Sequence, residues 1–181
     1  MTVLKKLSFL LLTPAIILAC EDPLPEPLGP GSTMADGKPS SQLFEATVDF
    51  SKISGSVHEF DPVISLKVQY DGNGSSNMMP LILLEANHVE EAFPNHDRWD
   101  LRQGNFVITG DKDNSIYGSY SGFGFSNATA NNLTWLLTIQ GGTGRFTSAH
   151  GNLTAEVHES IGTTGRNQAK ITGVIYLDDP I

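Results

Sequence analysis

Gly141-Gly142-Thr143-Gly144-Arg145-Phe146 separates two stretches of different texture. Before it, Leu133 to Gln140 places Trp135, Leu137 and Ile139 on alternate positions; after it, Gly151 to Glu159 does the same with Leu153, Ala155 and Val157. Alternation of apolar and polar residues is the signature of a strand with one buried face. Three glycines in four positions mark a turn, because glycine alone tolerates positive φ and close backbone approach. The spacing therefore predicts a hairpin with a glycine corner.

Working outward, the same two-residue period recurs. Phe44, Ala46, Val48 and Phe50 alternate with Glu45, Thr47 and Asp49, and Ile64, Leu66, Val68 and Tyr70 alternate with Ser65, Lys67 and Gln69. Asp71-Gly72-Asn73-Gly74 reads as a turn by composition, followed by an apolar run from Met78 to Leu84. Further strands are predicted at Phe106 to Thr109, Ile116 to Phe125 and Ala169 to Leu177, about eight in all. The best helical candidate, Ala86 to Ala92, is stopped by Pro94. Eight antiparallel strands either close into a barrel, which removes exposed edges, or pack as two sheets; closure is the preferred reading.

The 181-residue chain has a formal net charge of −9 and one cysteine, Cys20. A strongly acidic chain repels phosphate backbones, so nucleic acid is not an expected partner. A single cysteine allows neither a disulfide framework nor a thiolate metal centre. Residues 1–19 begin with Lys5 and Lys6, continue through an apolar run from Leu7 to Leu18 and end in Ala19 before Cys20. The run is short for a membrane span. It resembles a bacterial lipoprotein signal, which implies that the Cys20 thiol takes a lipid before cleavage exposes its amine. The other reading is an ordinary secretory peptide in which Cys20 is incidental. Residues 20–41 form a tether: Pro23, Pro25, Pro27, Pro30 and Pro39, interleaved with Gly29, Gly31 and Gly37, remove donors and keep the chain extended. Glu21 after the cysteine resembles the pattern of lipoproteins sent to the outer membrane. The expected domain is 42–181, held to a bacterial cell envelope, with the membrane as partner through the lipid.

The glycine corner resembles the signature of the allene oxide cyclase and dirigent barrel-like superfamily. Gly110-Asp111 through Gly122 and the closing Ile171-Thr172-Gly173-Val174-Ile175-Tyr176 agree with it. The resemblance covers roughly Gly104 to Leu177. It implies an all-β, eight-stranded antiparallel barrel with an apolar interior, often as a homo-oligomer. Gly141, Gly142, Gly144, Arg145, Phe146 and Gly151 would then be structural, a turn and strand start. Plant members steer cyclisation of a fatty-acid epoxide or orient phenolic radicals inside the barrel. Residues 43–103 give no match to the groups those activities use, and fold alone does not carry a reaction.

The glycine corner lacks the Lys-Ser/Thr ending and following helix of a phosphate cradle. Asp71, Asn73 and Ser75 have calcium-loop spacing, but Ile82 stands where a bidentate Glu belongs, so a hairpin turn is preferred over a cation site. His88, Glu90, Glu91, His96 and Asp97 are the densest set of potential ligands; they read as a polar loop over the barrel mouth anchored by Phe93 and Trp99, with a metal or ligand role as the alternative. His150 and His158 read as surface residues, and the sequons at Asn127, Asn132 and Asn152 matter little in a bacterial chain. No cofactor is implied.

Two functions follow. One is a non-enzymatic binding or envelope-surface module whose interior, lined by Phe44, Leu66, Val68, Trp135, Leu137 and Ile139, takes a small apolar ligand or is packed solid; no buried acid is expected. The other is an isomerase- or cyclase-like enzyme, which needs a polar group projecting into that interior, with Glu85, Asn87 and His88 as the residues to inspect.

Overall fold

The computed structural model describes residues 40–60, 63–92, 98–111, 113–161 and 166–178, without the side chains of 54–60 and 63. Eight strands follow in order: β1 (Ser40–Phe60), β2 (Val63–Ser76), β3 (Ile82–Ala92), β4 (Arg98–Thr109), β5 (Ser115–Ser126), β6 (Ala130–Thr143), β7 (His150–Ser160) and β8 (Gln168–Leu177). Each pairs antiparallel with the next, and β1 closes the barrel on β8 from Ser40↔Leu177 to Asp49↔Gln168. No described strand is left with an open edge, which is what closure achieves.

The two-residue period decides what faces inward. Phe44, Val48, Tyr70, Leu84, Phe106, Ile116, Trp135, Leu137, Ile139, Leu153 and Ile171 are buried, drawn from all eight strands. An eight-stranded barrel is just wide enough for such side chains to meet at its axis. A bulge in β4 changes the parity: the register with β5 slips between Leu101 and Gly104, and Gln103 takes φ +55°. This lets Leu101 and Phe106 both point inward although their spacing is odd.

Several expectations are corrected. Asp71 to Gly74 is no turn but part of β2, paired with Ser51 to Val48. Its glycines answer to space: a Cβ on Gly72 would lie 2.6 Å from Val48 Cγ1 and 2.9 Å from the Phe50 Cβ. The connection falls instead at Asn77 to Leu81, so the run from Met78 to Leu84 is part loop and part β3. Ala86 to Ala92 belongs to β3, so His88, Glu90 and Glu91 stand on a strand and not on a polar loop over the mouth; residues 93–97, including Phe93, His96 and Asp97, lie outside the described residues.

The glycine corner is also placed more finely. Gly141 and Gly142 lie near the end of strand β6, opposite Tyr117 and Ile116, and the chain reverses at the 3-10 turn Gly144–Phe146, where Gly144 has φ +59°. Arg145 donates to the Met78 carbonyl, and its guanidinium lies 4.8 Å over the Phe146 ring. Phe146 itself is fully buried beside Met79 and Ala149, so this end of the barrel is closed by apolar side chains. Gly151, with φ +141°, is the second residue of β7, which begins one residue before the expected strand start.

Candidate functional site

The other end of the interior is built differently. Continuing the inward parity of β1 past Phe50 gives Lys52; continuing β3 past Ala86 gives His88 and Glu90; continuing β7 past Val157 gives Glu159. These groups meet. Lys52 Nζ donates to Glu90 Oε1 at 2.9 Å and to Glu159 Oε2 at 3.1 Å. Asn131 Nδ2, opposite Glu159 in register, donates to the same Oε2 at 3.1 Å. In a closed ring of eight, β3 and β7 stand on opposite sides, so Lys52 ties the two walls together across the bore.

A layer of rings lies directly beneath. Trp135 packs on Tyr120 at 4.8 Å, Tyr70 at 5.2 Å and His88 at 6.0 Å between centroids. The Tyr70 hydroxyl donates to Glu159 Oε1 and is 3.3 Å from Glu90 Oε1. His88 Nδ1 lies 2.7 Å from the Tyr120 hydroxyl, and His88 Nε2 lies 3.3 Å from Glu90 Oε1. The chain Tyr120, His88, Glu90 and Lys52 is thus one hydrogen-bonded path from the aromatic layer to the rim.

Burial sets the electrostatics. Burial alone would lower the Lys52 pKa, but Glu90 and Glu159 outweigh it and hold the ammonium above its ordinary 10.5. Burial pushes the Glu90 carboxyl up, yet the hydrogen bond with His88 and the charge of Lys52 bring it below 4.5. Tyr70 and Tyr120 are raised far out of the physiological range, first by burial and then by the nearby carboxylates, so both stay protonated donors. Two donors have no partner: the indole N–H groups of Trp135, in this layer, and of Trp99, on β4, are buried without an acceptor among the described residues. A buried donor left unmade costs about 1–3 kcal/mol, so an acceptor oxygen reaching either one would be stabilising.

Of the residues expected to line a pocket, Phe44, Val68, Trp135, Leu137 and Ile139 are buried in the core and Leu66 is only half-buried. His88 enters the interior, 3% exposed. Glu85 and Asn87 do not: one position off in parity, they stand on the outer wall. The expectation of no buried acid is overturned by Glu159, which is 4% exposed. Lys52, Tyr70, Tyr120, Asn131 and Glu159 were missed, and the signal that would have found them was the inward parity itself, carried beyond the last apolar residue of each strand. Among the described residues no three His, Cys, Asp or Glu converge as a metal set. His150 and His158 are exposed, the first stacked on Tyr176 at 5.3 Å and the second 3.0 Å from Asn132.

No protein-family model matches the chain, and no curated protein matches it in sequence. Among solved structures it is similar to the pterocarpan synthase dirigent protein GePTS1, with 12% identity and a TM-score of 0.51, over 85% of this chain and 98% of that one. It is also similar to the pterocarpan synthase dirigent protein PsPTS1, with 14% identity and a TM-score of 0.46, over 78% and 97%. At such identities the first likeness is one of fold. With its closed ring of eight antiparallel strands, the chain has the dirigent and allene oxide cyclase-like barrel fold.

Proposed function

We propose that this chain is a lipid-anchored, extracytoplasmic binding module of a bacterial envelope that takes a small, largely apolar ligand bearing an acceptor oxygen at the charged end of its barrel. The observation that carries the reading is the orphan indole donor of Trp135, packed on Tyr70 and His88, which in turn bond the Lys52, Glu90 and Glu159 network inside an otherwise apolar bore. A barrel needs no such network to fold. Replacing buried ion pairs by well-packed apolar side chains is often neutral or stabilising, so their presence argues for a task. Aromatic walls with a few fixed polar groups are the usual make-up of a small-molecule site. The anchor rests on Cys20 after a short apolar run, and the outer membrane on Glu21.

The test is native mass spectrometry and thermal shift of the lipid-free mature chain with fatty acids and phenolics. A retained ligand that raises the melting temperature, and is lost with Trp135→Phe, supports the reading; no retained ligand leaves a structural role. Palmitate labelling that disappears with Cys20→Ser tests the anchor independently. A second reading, an isomerase- or cyclase-like enzyme, is favoured by the His88 hydrogen bonds, which offer a proton path between the Tyr120 hydroxyl and Glu90. Conversion of a bound compound into an isomer, abolished by His88→Gln, would select it.

A further inference from the structure

The outer wall of β5 to β8 holds an open cleft of about 500 Å³ at the same end of the barrel. Its lining is set by register. Phe123 stands opposite Thr134, Thr134 opposite Glu156, and Glu156 opposite Lys170. Two residues along each strand, Phe125, Asn132, His158 and Gln168 stand in line in the same way. The result is two parallel ladders spanning three strand spacings, roughly 14 Å, and set about 7 Å apart. Each ladder begins with a phenylalanine and continues with polar side chains.

Three observations separate this trough from an ordinary solvated wall. Two phenylalanines point outward, Phe125 being 45% exposed, and the Arg98 guanidinium lies 4.8 Å over the Phe123 ring, fixing one end of the trough. Glu156 and Lys170 are cross-strand neighbours of opposite charge, a pairing that normally closes. Here neither makes an ion pair or side-chain hydrogen bond among the described residues, although His158 and Asn132 are bonded to one another. An acceptor and a donor are therefore left facing the cleft, in a volume within the range of small-molecule sites.

We propose that this trough binds a neutral oligosaccharide. Its floor offers amide, imidazole, hydroxyl, carboxylate and ammonium groups at intervals of about 5 Å, the repeat of strands across a sheet, which suits a ligand with many hydroxyls along a stiff backbone. The exposed face of Phe125 takes the apolar C–H face of a terminal ring. Glu156 and Lys170 stand side by side and cancel in net charge, so the trough offers no net attraction to a polyanion or a polycation, while a neutral polyhydroxyl chain can hydrogen-bond to both. The trough lies outside the bore and is independent of any interior ligand.

Isothermal titration of the mature chain with linear neutral oligosaccharides of gluco, xylo, manno and galacto configuration tests this, with heparin and chitosan as the charged comparisons. At least one neutral series is expected to bind, with Phe125→Ala and Glu156→Gln each weakening it tenfold or more. Glu85→Gln on another wall, and Trp135→Phe in the bore, leave that affinity unchanged. His158→Ala serves as a further trough variant should Phe125→Ala melt early. Binding only to heparin or chitosan, no binding by any neutral series, or affinity indifferent to Phe125, Glu156 and His158 would overturn the proposal. Because Trp135→Phe should silence the interior site alone, failure of either site is told from failure of the other.

Discussion

Replacing Lys52 by Met keeps the aliphatic stem and removes only the ammonium, and it should be among the most informative single changes in the barrel. The lost group makes two charge-assisted hydrogen bonds, at 2.9 Å to Glu90 and 3.1 Å to Glu159. Such bonds contribute about 1.5–3 kcal/mol each, and breaking a buried pair by removing one partner costs about 3–5 kcal/mol. The Lys52 side chain is 24% exposed, so water recovers part of this, and the Met stem keeps its packing. A loss of about 2–4 kcal/mol at pH 7 follows, read by urea denaturation of the mature chain. The loss should depend on pH with a definite sign. In the parent, the lowered Glu90 pKa stabilises the fold above about 4.5 and is lost as pH falls through the folded value. Without Lys52 the upward push of burial on Glu90 is opposed by the His88 hydrogen bond and charge alone, so Glu90 takes a proton at a higher pH than in the parent. The deficit of the variant should therefore shrink by half or more between pH 7 and pH 4. A deficit under about 1 kcal/mol at pH 7, or one indifferent to pH, would refute the claim that Lys52 holds the two walls together.

Three other outcomes are expected. On the alkaline side, the raised Lys52, Tyr70 and Tyr120 contribute stability that is intact below about pH 10 and is lost as pH climbs through their folded values; their phenolate absorbance should rise only with unfolding, a correlation checked by following absorbance and circular dichroism together in Tyr70→Phe and Tyr120→Phe. Gly118→Ala would set a Cβ 2.0 Å from the Thr138 carbonyl oxygen across the β5 and β6 pair, and should cost about 3 kcal/mol or more, measured by chemical denaturation. Phe146→Ala opens the apolar plug of the closed end and should cost about 3–5 kcal/mol, with increased dye binding to exposed apolar surface if the end loosens.

Strand number and closure were legible because alternation is a local property. Residues such as Phe44 to Phe50 and Leu133 to Ile139 declare their inward face without reference to any partner. The errors came where a residue has two physical uses. Gly72 and Gly74 read as a turn, yet they serve as room for Val48 and Phe50 on the neighbouring strand, which only the register reveals. Glu85 and Asn87 sit where the end of the strand suggests a site, but parity turns them outward, while His88, the residue after Asn87, turns inward. The polar cluster was hidden for a different reason. Lys52, Glu90, Asn131 and Glu159 come from four strands and look solvated one at a time, and only the closed ring brings them within hydrogen-bond reach.

The two ends of the bore answer the same physical problem in opposite ways, and the contrast argues that one of them is functional. At the glycine-corner end, Met79 and Phe146 fold in from connections and seal the interior with apolar volume, tied down by Arg145 on the Met78 carbonyl. Nothing in the strand chemistry forbids the same at the far end, where Leu101, Leu133 and Val157 already point inward. Instead, charged groups are drawn inside, each with its desolvation cost, and held by a single ammonium between two carboxylates. That set holds one ammonium against two carboxylates, and among the described residues the indole donors of Trp99 and Trp135 are buried without a partner. A closing device would have no reason to bury indole donors without acceptors. Groups kept apart in this way, protonated tyrosines and indoles on the apolar side and carboxylates on the wet side, grade the interior from apolar to charged along its axis. That gradient suits a ligand with a greasy body and a polar head, and it places the head at the end of the barrel opposite the one where β1 begins at Ser40.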